Sequence, residues 1–100
     1  MARKKTRTAG EQICIVTVTG QDKVGIIARL AVTLAQVNVN IIDVNQNVME
    51  SYFVMTMACD VAGASATMKE IHARLEDVAR EMDLRITFQH ENIFKTMHRV

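Results

Sequence analysis

Hydrophobic and polar positions change period along this chain, and each change marks an element. From Ile13 to Thr19 the residues are Ile, Cys, Ile, Val, Thr, Val and Thr. β-Branched side chains dominate and both faces are apolar, the pattern of a covered strand. Cys14, Val16 and Val18 share one face; Ile13, Ile15 and Thr17 share the other. After a short loop, Ile27, Leu30, Leu34 and Val37 recur at helical spacing, so a helix is expected from about Gly25 to Val37. Ala28, Ala31 and Ala35 keep that helix slim. Asn38-Val39-Asn40 ends it and opens a second strand. There Ile42, Val44, Gln46 and Val48 alternate with Asp43, Asn45, Asn47 and Met49. The chain turns at Glu50-Ser51. Phe53, Met55, Met57 and Cys59 then alternate with Val54, Thr56, Ala58 and Asp60 along a third strand. The short connection makes strands two and three an antiparallel hairpin.

Ala62-Gly63-Ala64-Ser65 reads as a loop, and Thr67-Met68-Lys69-Glu70 as a capping box that starts a second helix. Met68, Ile71, Leu75, Val78 and Met82 form its apolar stripe, and it is expected to end near Asp83. Leu84, Ile86 and Phe88 alternate with Arg85, Thr87 and Gln89 in a fourth strand. Ile93, Met97 and Val100 stand at helical spacing, which predicts a short terminal helix that docks or swaps. The order is β-α-β-β-α-β plus that helix. Right-handed crossovers then give an α+β, ferredoxin-like fold: a four-stranded antiparallel sheet of order 4-1-3-2 with two helices on one face. The other face is expected to lack cover from its own chain, and strand two is an edge long enough to pair with a second chain.

Composition narrows the class. One hundred residues suit one domain, and a 49% hydrophobic content with mean hydropathy +0.08 suits a folded, soluble protein. No apolar run approaches the ~18 residues of a membrane span, and no export signal is read. Cys14 and Cys59 are expected as buried thiols in a reducing cytoplasm. Arg3, Lys4, Lys5 and Arg7 precede the first acid, Glu11. The rest carries eight basic against eleven acidic residues, a net of −3. Residues 1–11 are therefore read as a disordered basic arm, 12–90 as the domain and 91–100 as a helical extension. An acidic body does not suit a nucleic-acid platform.

The split β-α-β plan hosts many functions, so the site must decide. An RNA-recognition motif needs aromatics on strands one and three, and strand one has none. A metal chaperone of this plan would carry Cys-x-x-Cys after strand one; Gly20-Gln21-Asp22-Lys23-Val24-Gly25 stands there instead. His72, His90 and His98 fall in different elements, without paired ligand spacing, so no metal or cofactor is expected. No Ser-His-Asp or Cys-His arrangement supports catalysis. The Gly20–Ile26 loop, by contrast, sets backbone N–H groups and the Asp22 carboxylate at a helix mouth, an arrangement suited to a small anionic or zwitterionic molecule. Read only as structure, Asp22 caps the helix, the glycines serve backbone geometry, and Asn38 and Asn40 are turn and strand-start residues.

The loop and its flanks resemble the ACT domain, a small module that senses amino acids. The resemblance covers about residues 13–90. It rests on a strand, then Gly20-x-Asp22-x-x-Gly25-Ile26, an apolar helix, and Asn38-Val39-Asn40-Ile41 opening strand two. Gln89-His90-Glu91-Asn92-Ile93-Phe94 with Met97-His98-Arg99 is similar to stand-alone single-ACT proteins related to the glycine cleavage system transcriptional repressor. The resemblance implies a non-enzymatic regulatory homodimer joined through strand two, with further pairing to tetramers left open. It would bind an amino acid or similar metabolite and pass its state to a regulated protein. Asp22 would hold the ammonium group. Backbone N–H groups from Lys23, Val24, Gly25 and Ile26 would face the carboxylate, Gly20 and Gln21 would be ligand-binding residues of the same loop, and Asn38 and Asn40 would be supplied by the facing subunit. A structural or partner-binding module without a small ligand is the alternative. Val24 stands where the family pattern usually has proline, which loosens the loop by about 0.4–1 kcal/mol through chain entropy.

Overall fold

The computed structural model describes residues 10–97. Most of the basic arm, and the end of the tail with His98 and Val100, lie outside the described residues. The elements are β1 (Ile13–Gln21), α1 (Ile26–Gln36), β2 (Asn40–Met49), β3 (Tyr52–Asp60), α2 (Met68–Met82), β4 (Leu84–His90) and α3 (Glu91–Met97). The strands form one antiparallel sheet of order β2-β3-β1-β4. This is the expected order counted from the other edge.

Alternation decides which side chains meet. Val16 lies opposite Met57 and Phe88, and Val18 opposite Met55 and Ile86. These residues face α1 and α2, whose Leu30, Leu34, Ile71, Leu75 and Val78 complete one buried core. Thr33 is the buried polar residue there, and its hydroxyl donates to the Arg29 carbonyl at 2.8 Å. On the opposite face Thr87, Thr17, Thr56 and Asn45 form one cross-strand row of short polar groups.

Three expectations change. β1 does not stop at Thr19: Gly20 and Gln21 pair with Phe53 and Tyr52. Gly20 belongs in the ladder because a Cβ there would sit 2.8 Å from Leu84 Cδ2 and 3.3 Å from the Asp83 carbonyl. The β2 alternation is broken by a bulge between Ile41 and Asp43, so Ile41 joins the core side and Ile42 points to the other face, apart from Val44. A bulge inserts one residue and so reverses the phase of the strand beyond it. Finally, the second sheet face is not bare. α3 folds back beside β1 and β4 and leaves Ile13 only 6% exposed on that side.

β2 is the sheet edge, and exposure runs along nearly its whole length. Val44 and Val48 face the helix layer yet are each 44% exposed, because α1 does not reach over them. Arg29 of α1 pairs with Glu81 of α2, which turns the opposite flank of α1, with Ile27 and Ala31, toward β2. An apolar shelf therefore borders the free edge.

Candidate functional site

The helix mouth is built by three anchors from distant parts of the chain. The Asp22 backbone N–H donates to the Ser51 carbonyl at 2.8 Å, tying the loop to the β2–β3 turn. The Lys23 ammonium donates to the Met82 carbonyl at the end of α2, and the Arg29 guanidinium pairs with Glu81 on the same helix. Held this way, Val24 stands fully exposed at the loop tip, and Gly25 precedes α1 at φ 93°, ψ 3°. That left-handed conformation is the reason for glycine at this position.

No side chain caps α1, and its first turn carries no acid. The structural reading of Asp22 as a helix cap is therefore wrong. Its exposed carboxylate stands beside a helix start whose first N–H groups have no intrahelical acceptors. An open cleft of about 490 Å³ adjoins it, lined by Asp22, Lys23, Gly25, Ile26, Ile27, Ala28, Gln46 and Phe53. Gln46 and Phe53 were not among the sequence candidates. The signal for Gln46 was present: it is the one amide in an otherwise apolar row of β2.

Asn38 and Asn40 lie elsewhere. They line a second cleft of about 450 Å³ with Ala35, Val39, Asp60 and Gly63. The two clefts flank opposite ends of α1, an 11-residue helix about 16 Å long, too far apart for one amino acid to touch both within a chain. Asn38 also has a structural task. Its φ is 58°, its N–H donates to the Ala35 carbonyl at 3.0 Å, and Val39 N–H donates to the Leu34 carbonyl at 3.0 Å. This is a Schellman ending with asparagine in the usual glycine position. The Asn38 amide additionally donates to the Gly63 carbonyl at 2.8 Å.

Cys14 and Cys59 face each other across β1 and β3 as free, buried thiols. Burial, with Cys14 adding to it, pushes the Cys59 thiol up to about 12; burial and the nearby Glu91 also raise Cys14. Burial of this kind disfavours the thiolate, the nucleophilic form of a cysteine. Among the described residues no three His, Cys, Asp or Glu side chains converge as a metal site, and no helix is long and apolar enough to cross a membrane.

This sheet order, with a glycine-bounded loop opening the first helix, is a ferredoxin-like α+β architecture, and the comparisons narrow it to one family. A model of the ACT domain matches residues 12–89, so the chain belongs to the ACT-domain family, whose members are commonly ligand-binding regulatory modules. Within it, the chain is 43% identical over 86 residues to a UPF0237 protein of Methanococcus maripaludis, an alignment spanning 86% of this chain and 96% of that one. Among solved structures, an ACT domain protein from Streptococcus pneumoniae superposes with a TM-score of 0.71 at 27% identity, over 84% of this chain and 94% of that one. A proposed glycine cleavage system transcriptional repressor shares the fold with a TM-score of 0.70 at 21% identity, over 80% of this chain and 46% of that one.

Proposed function

We propose that this protein is a non-enzymatic regulatory module that binds an amino acid or similar zwitterion between two copies of the chain. One observation carries the reading: the split of the candidate site across the two ends of α1, beside a free β2 edge. Asp22 is tied to the turn after β2, while Asn40 begins β2. Antiparallel pairing of β2 with a second β2 brings the Asn38–Asn40 end of one copy to the Asp22 end of the other. The same pairing covers Val44, Val48 and the alanine flank of α1. Asp22 then receives the ligand's ammonium and the first N–H groups of α1 its carboxylate, with amides closing the site. The pair of unlinked thiols suits a reducing cytoplasm.

The test is a thermal-shift screen of the twenty amino acids in millimolar excess, on wild type and on Asp22→Ala, with sedimentation to fix the oligomer. A ligand that binds only the folded state raises the melting point by mass action. We expect one or two compounds to do so, with micromolar or weaker affinity, and the shift to vanish in the variant. A dimer with no shift for any compound instead supports a partner-binding module. The tasks already held by Gly20 in packing and Asn38 in the helix ending favour that second reading.

A further inference from the structure

We propose that the ligand of the Asp22 cleft carries a carboxamide side chain and that Gln46 selects it, an inference that rests on the amino-acid binding proposed for that cleft. Alternation gives the core side of β2 to aliphatic residues. Ile41 packs against the core, and Val44 and Val48 flank Gln46 on the same row. Gln46 itself stands opposite Met55, which is fully buried. The amide therefore occupies a place where folding alone favours an aliphatic side chain. Among the described residues it makes no hydrogen bond, and it lines the cleft of about 490 Å³ beside Asp22. A polar residue that breaks the pattern of its element, with no structural partner in return, is the kind of exception a binding site makes.

The rest of the cleft decides what Gln46 meets. Ile26 and Phe53, each 2% exposed, form an apolar floor, with Ile27 and Ala28 beside them. Such walls suit the methylenes of a side chain. The two charged groups at the cleft have tasks already. Asp22 receives the ligand's own ammonium. The Lys23 ammonium sits on the Met82 carbonyl at the C-terminal end of α2, where the helix dipole favours a cation. A carboxylate side chain would have to draw Lys23 off that carbonyl, and a basic one would compete with the ligand's own ammonium for Asp22. An aliphatic side chain laid over Gln46 strips water from the amide and returns no hydrogen bond. An amide has a donor end and an acceptor end, and a second amide matches both at once, whereas a hydroxyl meets one end at a time. A site that hydrogen-bonds one group in this way discriminates against the isostere that lacks it.

The test is calorimetric titration of the full-length protein with asparagine and glutamine, and with their counterparts aspartate, glutamate, leucine and methionine. A carboxamide is expected to bind about tenfold tighter, or more, than its carboxylate and aliphatic counterparts. Gln46→Leu is expected to weaken that binding by about tenfold or more and to bring leucine or methionine level with it. Asp22→Ala is expected to abolish binding of all six. Melting curves and sedimentation of each variant establish its fold and its oligomer. Glutamate or leucine binding as tightly as the carboxamides, and lost in Asp22→Ala, overturns the assignment of Gln46 and leaves the amino-acid function standing. So does an unaltered carboxamide affinity in Gln46→Leu. A Gln46→Leu variant whose self-association weakens in step with its affinity also overturns it, and assigns the amide to the contact between copies. Binding of no amino acid at all overturns both.

Discussion

α1 and α2 share one core but start in opposite ways. At α2, the Thr67 hydroxyl accepts from the Glu70 N–H at 3.1 Å and the Glu70 carboxylate accepts from the Thr67 N–H at 2.8 Å. Four consecutive residues satisfy their own helix end. At α1, the residue before the helix is a glycine with nothing to donate or accept from a side chain, and the loop is positioned instead by Ser51, Met82 and Glu81. A locally capped start needs no visitor. A start held open by long-range anchors, with a carboxylate beside it, keeps its N–H groups available to one.

If the contrast is confined to the starts, the two helices should be equally well held by the core. Leu30 and Leu75 are both fully buried there. Leu30→Ala and Leu75→Ala should therefore each cost about 2–5 kcal/mol in urea denaturation, and by similar amounts. A large cost for only one of them would mean that one helix is loosely docked, and the contrast at the starts would lose its meaning.

The starts themselves should respond to different chemistry. Gly25→Ala places a Cβ in open space, with nothing within 4 Å, so its cost is purely that of a left-handed backbone, about 1–2 kcal/mol. Gly25→Asn should recover part of it. Thr67→Ala should cost about 1 kcal/mol through the lost cap, and Thr67→Ser should restore it. If Gly25→Ala were neutral, the loop would have a second conformation available and would not be fixed by its anchors.

Much of this contrast was readable from the chain. The rows Cys14-Val16-Val18 and Phe53-Met55-Met57-Cys59 lie on the core face as their alternation implies, and Thr67 and Glu70 announce the capping box. The misreadings occurred where a distant residue overrides local pattern. Gly20 looks like the start of a loop, but it is a glycine because Leu84 crosses above it. The two isoleucines at 41 and 42 hide a bulge, since either register keeps an apolar residue inward. Apolar Ile13 and Ile15 called for cover on the second face, and the helical spacing in the tail for a docking helix, but neither pattern named the other as its partner. Of the residues singled out from the chain, Asp22, Lys23, Gly25 and Ile26 line one cleft, which Gln46 and Phe53 share, and Asn38 and Asn40 line another. Asn38 ends α1, a task that only the hydrogen bonds of the Schellman ending show.

Asp22 gives the smallest expected effect on stability and the sharpest use of the contrast. Its backbone N–H anchors the loop to Ser51, and any residue but proline keeps that bond. Its side chain caps nothing and is exposed. Asp22→Ala should therefore change the unfolding free energy, measured without ligand, by less than about 0.5 kcal/mol, as for a surface position with no structural task. Thr67→Ala should cost more, although both positions are short oxygen-bearing side chains near a helix start. A loss of about 1 kcal/mol or more in Asp22→Ala, the size of a lost cap, would make its carboxylate a structural group and remove the physical reason for expecting a ligand there. A near-zero loss, alongside a clear one at Thr67, would leave Asp22 as a charge that folding does not use. Its contribution would then have to be sought in what the protein binds.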